Sequence, residues 1–392
     1  MRCRAEFEST GMRLVKLPSK LRVKAMLGIE FLSQILNGHP SMPTPFADLA
    51  SVLSVPVQSA DDLDTLEQFF DHSEVRAFYA QSQDPAYTSA NLLACATLLP
   101  DLHPNRASAL ALLCGSMVED GADPAILFDS LHALLRQWLR TLRPYCAQEV
   151  DEDDEEVDQA DRKAWVDAQA ELAAVPLDTR WEVESLQQAV DVLVLPMMAM
   201  LMRSQRNHEA FIADTSLMAL LHPMATTNDS FPFEELHFLW LASQISYVDE
   251  LVVVLPTSKT GFVARAHGVN NSFHAFTLLQ ILIGEHAQAL QVKRDIPARQ
   301  PDMDRDSADF QWLQAGAYTN GELTQPMLWA WGEAALRHNM ARHGRPVLIA
   351  LETDEGTKRN WSGFNGAIHD AQAPSMTFKR YLTTEEVASY LA

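Results

Sequence analysis

The stretch Leu251-Val-Val-Val-Leu255 marks the point at which the sequence changes from a helical to a strand-like pattern. Its short run of apolar, mostly β-branched residues predicts a β-strand. Residues Pro256–Gly261 predict a turn, and the alternating pattern of Phe262–Val269 predicts a second strand. The sequence therefore predicts a β-hairpin at this point.

More strands and two helices are predicted after the hairpin. A helix is expected from Ser272, its predicted cap, to about Gln288, and a last helix is expected to be capped by Thr383 or Thr384. The polar segment Pro297–Ala308 predicts a loop. The strand candidates are Phe310–Ala315, Met327–Trp331, Pro346–Leu351 and Met376–Leu382. Residues 247–392 are therefore expected to form an α+β or α/β domain with a mixed sheet.

Residues 19–246 have a helical pattern almost throughout. In the clearest helix Asp123 is the predicted cap and Pro124 takes the first helical position. Its predicted inward-facing residues are Leu127, Leu131, Leu134, Leu135 and Trp138. The other helices are expected at Ser19–Gly38, Asp61–Asp71, Ala90–Leu99, Pro104–Gly121, from Arg162 onward, at Asp178–Arg203 with a kink or break at Pro196, at Asn207–Leu221 and at Phe233–Ser246. The expected fold class is α+β, a large N-terminal helical bundle or irregular helical array followed by a smaller C-terminal α/β domain with a mixed sheet.

The chain carries a formal net charge of −22, and this charge is unevenly distributed. Nucleic acids and anionic membranes attract clustered Lys and Arg, so neither is expected as a partner. Residues 1–24 are the exception, with seven basic and two acidic side chains. We expect residues 1–18 to be a flexible basic arm that leads into the first helix. The acidity of the remainder suits either solubility alone or a cationic partner attracted over a distance.

The sequence favours a cytoplasmic protein. No uninterrupted apolar core follows the basic start, so a signal peptide is not expected. The longest apolar stretch, Ala189–Met202, contains an aspartate and a proline and is shorter than a membrane span, so it predicts a buried helix. The four cysteines have neither zinc-site nor disulfide-framework spacing: Cys3, Cys95, Cys114 and Cys146. Cys95 and Cys114 are expected in the apolar core.

The most acidic segment, Glu149–Asp161, contains nine carboxylates and no basic residue. Such a block is typical of a solvated loop or linker within a helical domain. The alternative is a flexible anionic strip that binds a basic groove on a partner protein, with an association rate that falls as salt rises. On that alternative the candidate partner-binding residues are Glu149, Asp151, Glu152, Asp153, Asp154, Glu155, Glu156 and Asp158.

Two short motifs suggest ligand binding only superficially. Three carboxylates have the spacing of the first ligands of a calcium loop: Asp302, Asp304 and Asp306. Ser307 and Leu313 occupy the positions where such a loop requires glycine and glutamate, so a solvated loop is expected. Lys259-Thr260 resembles the end of a phosphate-binding loop, but the upstream glycines are missing and a turn is expected.

Histidines and tryptophans also lack a pattern specific for catalysis, cofactors or metals. His338 and His343 are five residues apart and would fall on different faces of a helix. His237 and His274 have aromatic neighbours and are expected as hydrogen-bonded core residues. Core packing is also expected, in preference to an interface, for the C-terminal aromatic residues Trp312, Trp329, Trp331, Trp361 and Phe364. We therefore predict no catalytic, cofactor-binding or metal-binding residues.

Two C-terminal pieces resemble poorly characterised bacterial proteins that are associated with polymorphic toxin systems. One is the stretch of residues 268–279, Gly-Val-Asn-Asn-Ser-Phe-His-Ala-Phe-Thr-Leu-Leu. The other combines Trp331-Gly-Glu333, Arg345-Pro-Val-Leu348 and Trp361-Ser-Gly-Phe364. The resemblance covers the last third of the chain and brings no catalytic residues. It implies a large immunity protein, which would bind a cognate toxin in the cytoplasm and cover the toxin's active site.

Two classes of function remain as expectations. The first is a non-catalytic binding protein, most simply an immunity protein that occludes a basic toxin, or an adaptor or chaperone for a secreted effector. The second is a hydrolase without a short motif that acts on a nucleotide or an ADP-ribose adduct. A hydrolase site is expected at strand ends of the C-terminal domain, with convergent carboxylates and histidines.

Overall fold

The computed structural model describes residues 46–146, 159–176, 179–225, 233, 235–292, 307–319, 322–328, 336, 341–360 and 368–392. Several predictions therefore lie outside the described residues. These are the basic arm 1–18, the first helix, the eight candidate partner-binding carboxylates, the aspartates at 302, 304 and 306, His338, and four of the five C-terminal aromatic residues. The pieces of the family resemblance at 331–333 and 361–364 also lie outside them.

The fold is α+β, with helices followed by a mixed sheet. The helices of the first part are α1 Phe46–Leu53, α2 Leu66–Asp71, α3 Ser73–Ser82, α4 Pro85–Leu98, α5 Pro104–Glu119, α6 Ala125–Leu142, α7 Gln159–Ala174, α8 Arg180–Met202, α9 Gln205–Ala213, α10 Thr215–Ala225 and α11 Leu236–Ser243. The predicted inward-facing residues of α6 are all buried, which confirms its amphipathic pattern.

Helix α8 lies at the centre of the helical part, where it contacts α5, α6, α9 and α11. By length and composition α8 could cross a membrane, but 72% of its most apolar window is buried inside the fold. The predicted buried helix at Ala189–Met202 is therefore confirmed. The helix continues through Pro196, so the break that was one expectation does not occur.

The close approach of α5 and α8 depends on a glycine. A Cβ atom added to Gly115 would lie 2.9 Å from Pro196 Cα and 3.0 Å from Pro196 Cβ. Real Cβ contacts are longer, so only glycine lets the two helices pack at this distance. The contact also places Pro196 inside the core, where its ring fills space against the neighbouring helix.

Three predicted helix boundaries are wrong, each because a polar side chain caps a helix at another position. The expected helix Asp61–Asp71 is a 3-10 turn at Ala60–Asp62 followed by α2, whose cap Thr65 accepts a hydrogen bond from Gln68 N. Helix α4 begins at Pro85, before the predicted start at Ala90, because Asp84 accepts from Ala86 N at 3.0 Å. The expected helix Asn207–Leu221 is interrupted at Asp214, whose carboxylate accepts from Ser216 N and Leu217 N and so starts α10.

Replacing Asp214 by alanine should lower the free energy of unfolding by about 1–2 kcal/mol, because α10 loses its cap. Burial opposes ionisation of Asp214, but the hydrogen bonds from Ser216 and Leu217 and the charge of Arg136 bring its pKa down to about 2. The ionised form therefore adds stability above the ordinary value of 3.8, and this contribution is lost as pH falls towards 2. Urea unfolding should show a large difference between variant and wild type near neutral pH and a small one at about pH 2. Equal differences at both pH values would contradict the assignment.

The described residues of the second part form seven strands. They are β1 Ser246–Leu255, β2 Thr260–Val269, β3 Ser307–Thr319, β4 Glu322–Leu328, β5 Ala341–Arg342, β6 Arg345–Asn360 and β7 Ser375–Tyr381. Their order is β4-β3-β6-β1-β2-β7, with β5 beside β6. The hairpin of β1 and β2 is confirmed as antiparallel, whereas β1 and β6 run parallel with Val253 opposite Leu348. The sheet is therefore mixed, as predicted.

The stretch 251–255 is apolar throughout because strand β1 is covered on both faces. Leu251, Val253 and Leu255 belong to a core with helix α12 (Ser272–Glu285). Val252 and Val254 belong to a separate core with helix α13 (Thr384–Leu391). Successive side chains of a strand point to opposite faces, so this alternation places one helix on each side of the sheet.

Four further predictions need correction. Asn271, and not Ser272, caps α12, because its side chain accepts from His274 N at 2.8 Å. Strand β4 covers Glu322–Leu328 and so begins five residues before the expected strand at 327–331, whose last three residues lie outside the described part of the chain. Strand β3 begins at Ser307, inside the expected loop. His274 is buried as expected, but His237 is exposed and hydrogen-bonds to Ala225 O at 3.2 Å.

Candidate partner-binding surface

The predicted acidic block is bordered by two contacting elements of the helical part. The chain before it ends in a 3-10 turn at Arg143–Tyr145 and a buried Cys146. Helix α7 begins at Gln159, so the last three residues of the predicted loop 149–161 are helical, and this helix contacts that turn. The eight carboxylates that the sequence singled out lie between these elements, outside the described residues.

A second acidic region, which the sequence analysis missed, lies within the described part of the chain. Residues 46–104 contain nine carboxylates and one basic residue other than histidine, Arg76, a net charge of −8. We call this region the N-terminal acidic surface. Its carboxylates, exposed or half-buried, are Asp48, Asp61, Asp62, Asp64, Glu67, Asp71, Glu74, Asp84 and Asp101. Counting charges over helix-sized windows could have identified it.

Packing brings together the helices that carry most of these carboxylates. Helices α1, α2 and α4 all contact α3, and α1 also contacts α4. The buried Arg106 of α5 anchors the chain that links α1 to α2. Its guanidinium donates to Leu53 O at 3.2 Å and to Asp62 O at 3.4 Å. Arg76 is paired with Asp71. Apart from Asp71 and from Asp64, which lies 3.4 Å from His72, the carboxylates of this region have no ion pair among the described residues.

Large apolar side chains are exposed among these charges. Six such side chains are exposed in the described residues, and four of them belong to the N-terminal acidic surface: Val55, Leu66, Tyr87 and Leu93. Leu93 is 61% exposed on α4 and Val55 is 54% exposed after α1. Apolar side chains surrounded by charge are typical of protein-binding surfaces.

The strand ends hold a cavity of about 270 Å³ where the hydrolase hypothesis expects a site. It lies at the carboxyl end of β1 and beside β6, which runs parallel to β1. Its lining residues are Leu255, Thr257, Ser258, Gln291, Val292, Trp312, Ala350 and Glu352. Trp312 and Glu352 are direct cross-strand neighbours on β3 and β6. The buried Trp312 agrees with its predicted core role.

The described lining of this cavity offers hydrogen bonds but little acid–base chemistry. It contains one carboxylate, two hydroxyls and one amide, and none of these residues is a histidine. Residues 256–259 form the predicted turn, with Lys259 in the left-handed region at φ 52°. A general acid–base pair needs two titratable groups at the reacting atoms. The residues that the structure describes here therefore fit binding of a small polar ligand better than hydrolysis.

A buried polar cluster joins the two parts of the fold. Glu119, at the end of α5, accepts from His369 Nε2 at 3.1 Å and from Arg203 at 2.7 Å. His369 Nδ1 accepts from Ala371 N, so the ring proton lies on Nε2, which donates to Glu119. Burial opposes ionisation of Glu119, but the hydrogen bonds from His369 and Arg203 lower its pKa below the ordinary value.

A second set of hydrogen bonds also joins the helical part to the C-terminal part. Gln372 donates to Met202 O at 2.6 Å and accepts from the Tyr247 hydroxyl at 3.0 Å. Burial raises the pKa of Tyr247 to about 12, so its hydroxyl stays protonated and can donate. A Cβ on Gly268 would lie 2.7 Å from Gln372 O, and the backbone there has φ 71°. The partners are up to 250 residues apart, so no sequence signal could have identified the cluster.

The described cysteines and histidines form no metal site. No group of three or more potential metal ligands occurs among the residues that the structure describes. Cys95, Cys114 and Cys146 are free thiols and buried, as expected for the first two. A hydrogen bond with Cys95 and burial raise the pKa of Cys114, and burial raises the pKa of Cys146 to about 12. Both thiols are therefore protonated and poorly reactive.

Known proteins offer no guide to this surface or to the cavity. No protein-family model, no curated protein and no solved structure matches the chain. Only its own residues therefore indicate a function.

Proposed function

We propose that this protein is a non-catalytic binding protein, an immunity protein that neutralises a basic bacterial toxin by covering the toxin's active site. The observation that carries the proposal is the N-terminal acidic surface, a region of nine carboxylates and one arginine that also exposes four large apolar side chains. The carboxylates attract a basic partner over a distance, and the apolar side chains supply area that is buried on contact.

Electrostatics and apolar contact contribute differently to such a complex. Long-range attraction mainly raises the association rate, and salt weakens it. Burial of apolar and aromatic side chains such as Tyr87 and Leu93 mainly slows dissociation. The carboxylates of the acidic block 149–158 would add to the attraction of a basic partner. An inhibitor of this kind needs no chemistry of its own.

The test begins with capture of the partner from the native strain, followed by purification of that partner. A surface variant removes four exposed carboxylates that accept no described side-chain hydrogen bond: Asp48→Asn, Asp61→Asn, Glu67→Gln and Asp101→Asn. The matched control removes four exposed carboxylates elsewhere: Asp129→Asn, Glu171→Gln, Glu184→Gln and Glu285→Gln. We expect the surface variant to bind the partner about tenfold more slowly at low salt and the control to bind within about twofold of wild type.

Growth of cells decides whether binding neutralises a toxin. Expression of the partner alone should stop growth, co-expression of the wild-type chain should restore it, and the surface variant should restore it poorly. A partner that is harmless when expressed alone would refute the immunity function. If the partner is a secreted effector that needs this chain for its export, the adaptor or chaperone function would replace it.

The cavity favours one alternative, binding or hydrolysis of a nucleotide or ADP-ribose adduct. Its location at the carboxyl end of β1, beside the parallel strand β6, is where such ligands bind in α/β sheets. ADP-ribose is the direct probe. A rise in melting temperature that the Glu352→Gln variant lacks, or release of product, would support this alternative over the immunity function.

A further inference from the structure

The cavity at the carboxyl end of β1 has a carboxylate beside an indole. Trp312 on β3 lies directly opposite Glu352 on β6, so their side chains are neighbours on one face of the sheet. Ala350 precedes Glu352 by two residues and therefore projects to the same face. Trp312, Ala350 and Leu255 are all buried and belong to the apolar core that helix α12 covers. The described lining thus combines three buried apolar side chains with one carboxylate.

Two loop segments complete the described lining, and a hydrogen bond fixes one against the other. The Thr260 hydroxyl donates to Leu290 O at 2.9 Å, which joins the turn after β1 to the segment after α12. The lining residues that these segments contribute are Thr257, Ser258, Gln291 and Val292. A ligand therefore meets a wall that is already ordered, which lowers the entropic cost of binding.

The same hydrogen bond fixes the role of the Ser258 hydroxyl. The single hydroxyl hydrogen of Thr260 is donated to Leu290 O, so Ser258 must be the donor in the 2.7 Å contact between Ser258 Oγ and Thr260 Oγ1. The Ser258 oxygen can then only accept a hydrogen bond from a ligand. An ionised Glu352 carboxylate also only accepts. Two polar groups of the lining therefore require a ligand that donates.

Backbone strain is concentrated beside the cavity. Among the described residues other than glycine, three have a left-handed φ: Lys259 at 52°, Gln291 at 55° and His343 at 52°. Gln291 lines the cavity, and Lys259 directly follows the lining residue Ser258. Side chains other than glycine adopt this conformation at a cost, and such residues cluster at ligand sites. The strain therefore marks the same two segments that the hydrogen bond from Thr260 holds together.

We propose that this cavity binds a small molecule that carries an ammonium group. The ammonium group lies against the Glu352 carboxylate and the Trp312 indole, both of which attract a cation. The Ser258 oxygen accepts a further hydrogen bond from the ligand, and the apolar part of the ligand covers Leu255 and Ala350. The cavity volume of about 270 Å³ is just below the range of about 300–1,000 Å³ that drug-sized ligands occupy, so the ligand is small.

The charge of the lining distinguishes this ligand from a nucleotide. The described lining contains a carboxylate and neither lysine nor arginine. Phosphate groups would meet Glu352 as a like charge, whereas an ammonium group meets it as the opposite charge. The proposal thus competes with the nucleotide alternative for this cavity and does not depend on the immunity function.

The test compares 5-aminopentan-1-ol with pentane-1,5-diol, a molecule of the same length in which a hydroxyl group replaces the ammonium group. Ligand-detected NMR titration of the full-length protein measures both dissociation constants. We expect the amine to bind saturably and at least about tenfold more tightly than the diol, because only the amine forms a charge-assisted hydrogen bond with Glu352. ADP-ribose is the anionic probe and should not bind.

Substitutions separate binding in the cavity from general attraction to an acidic protein. Glu352→Gln keeps the shape of the side chain and removes its charge, so it should weaken binding of the amine about tenfold or more. The matched control Glu171→Gln removes the same charge from an exposed position on α7 and should bind the amine within about twofold of wild type. Ser258→Ala removes an acceptor in the turn and should weaken binding about threefold or more.

Urea unfolding of each variant shows that the protein measured is folded. No saturable binding of the amine, or equal binding of the amine and the diol, would overturn the proposal. Equal weakening by Glu352→Gln and Glu171→Gln would also overturn it, because the amine would then bind through the overall charge of the chain. Saturable binding of ADP-ribose in place of the amine would favour the nucleotide alternative instead.

Discussion

Replacing Gly115 by alanine is expected to destabilise the protein, the opposite of the usual effect of this substitution in a helix. Elsewhere, alanine is favoured over glycine in a helix interior by about 0.5–1 kcal/mol. Here the new Cβ would lie 2.9 Å from Pro196 Cα, an atom of the backbone that cannot rotate away. Separating α5 from α8 costs about 1–3 kcal/mol, which exceeds the gain, and valine should cost about 3 kcal/mol or more.

Urea unfolding followed by far-ultraviolet circular dichroism measures this change. The matched control is Ala90→Gly, which makes the reverse substitution on the exposed face of α4 and should cost only about 0.5–1 kcal/mol. Gly115→Ala should lower the unfolding midpoint, and Gly115→Val should lower it further. A midpoint raised by Gly115→Ala would mean that the two helices do not meet at this glycine.

Replacing Glu119 by alanine is the second change with a large expected effect, a loss of about 2–3 kcal/mol. The substitution leaves the Nε2–H of His369, which is 2% exposed, without an acceptor and removes the carboxylate that pairs with Arg203. An unpaired buried donor costs about 1–3 kcal/mol, and loss of the charge partner adds to this. Since Arg203 is 39% exposed, solvent screens part of that second contribution.

The effect of Glu119→Ala should depend on pH in a defined direction. The pKa of Glu119 is lowered in the folded protein, so its ionised form stabilises the fold above the ordinary value of 4.5. That stability is lost as pH falls through the lowered pKa. The unfolding midpoints of variant and wild type should therefore differ most near neutral pH and converge in acid.

Glu209→Ala, at an exposed carboxylate of α9, is the matched control and should change the midpoint little at any pH. Glu119→Gln keeps one acceptor for His369 and should lose less stability than alanine. If Glu119→Ala unfolds at the same urea concentration as the wild type, the cluster of Glu119, His369 and Arg203 does not stabilise the contact between the two parts of the fold.

The cluster explains how the C-terminal part of the chain is joined to the helices. Ile368 lies in the same apolar core as α5 and α8, and Gln372 donates to the last turn of α8. These contacts come from a segment that precedes β7 by a few residues. The chain just before strand β7 is therefore fixed to the helical part, and β7 and helix α13 follow it directly in sequence.

Local sequence was sufficient for most element types. The β-branched run at 251–255 predicted a strand, and the Asp123-Pro124 start predicted helix α6 with its buried face. Capping residues were harder to predict, since Asp, Asn, Ser and Thr can all cap a helix and two candidates often lie close together. Asn271 and Thr65 are examples in which the side chain that accepts the hydrogen bond decides the boundary.

The sequence by itself determined the α+β class, the order of helices and strands, and the acidic character, because periodicity, caps and charge depend only on near neighbours along the chain. Tertiary structure alone decided the parallel pairing of β1 with β6, the contact of Gly115 with Pro196, and the bond from His369 to Glu119. Each of these joins residues far apart in sequence, and their pairing depends on the free energy of the whole packed arrangement. It also decided that helices α1 to α4, which carry most of the carboxylates of residues 46–104, pack together.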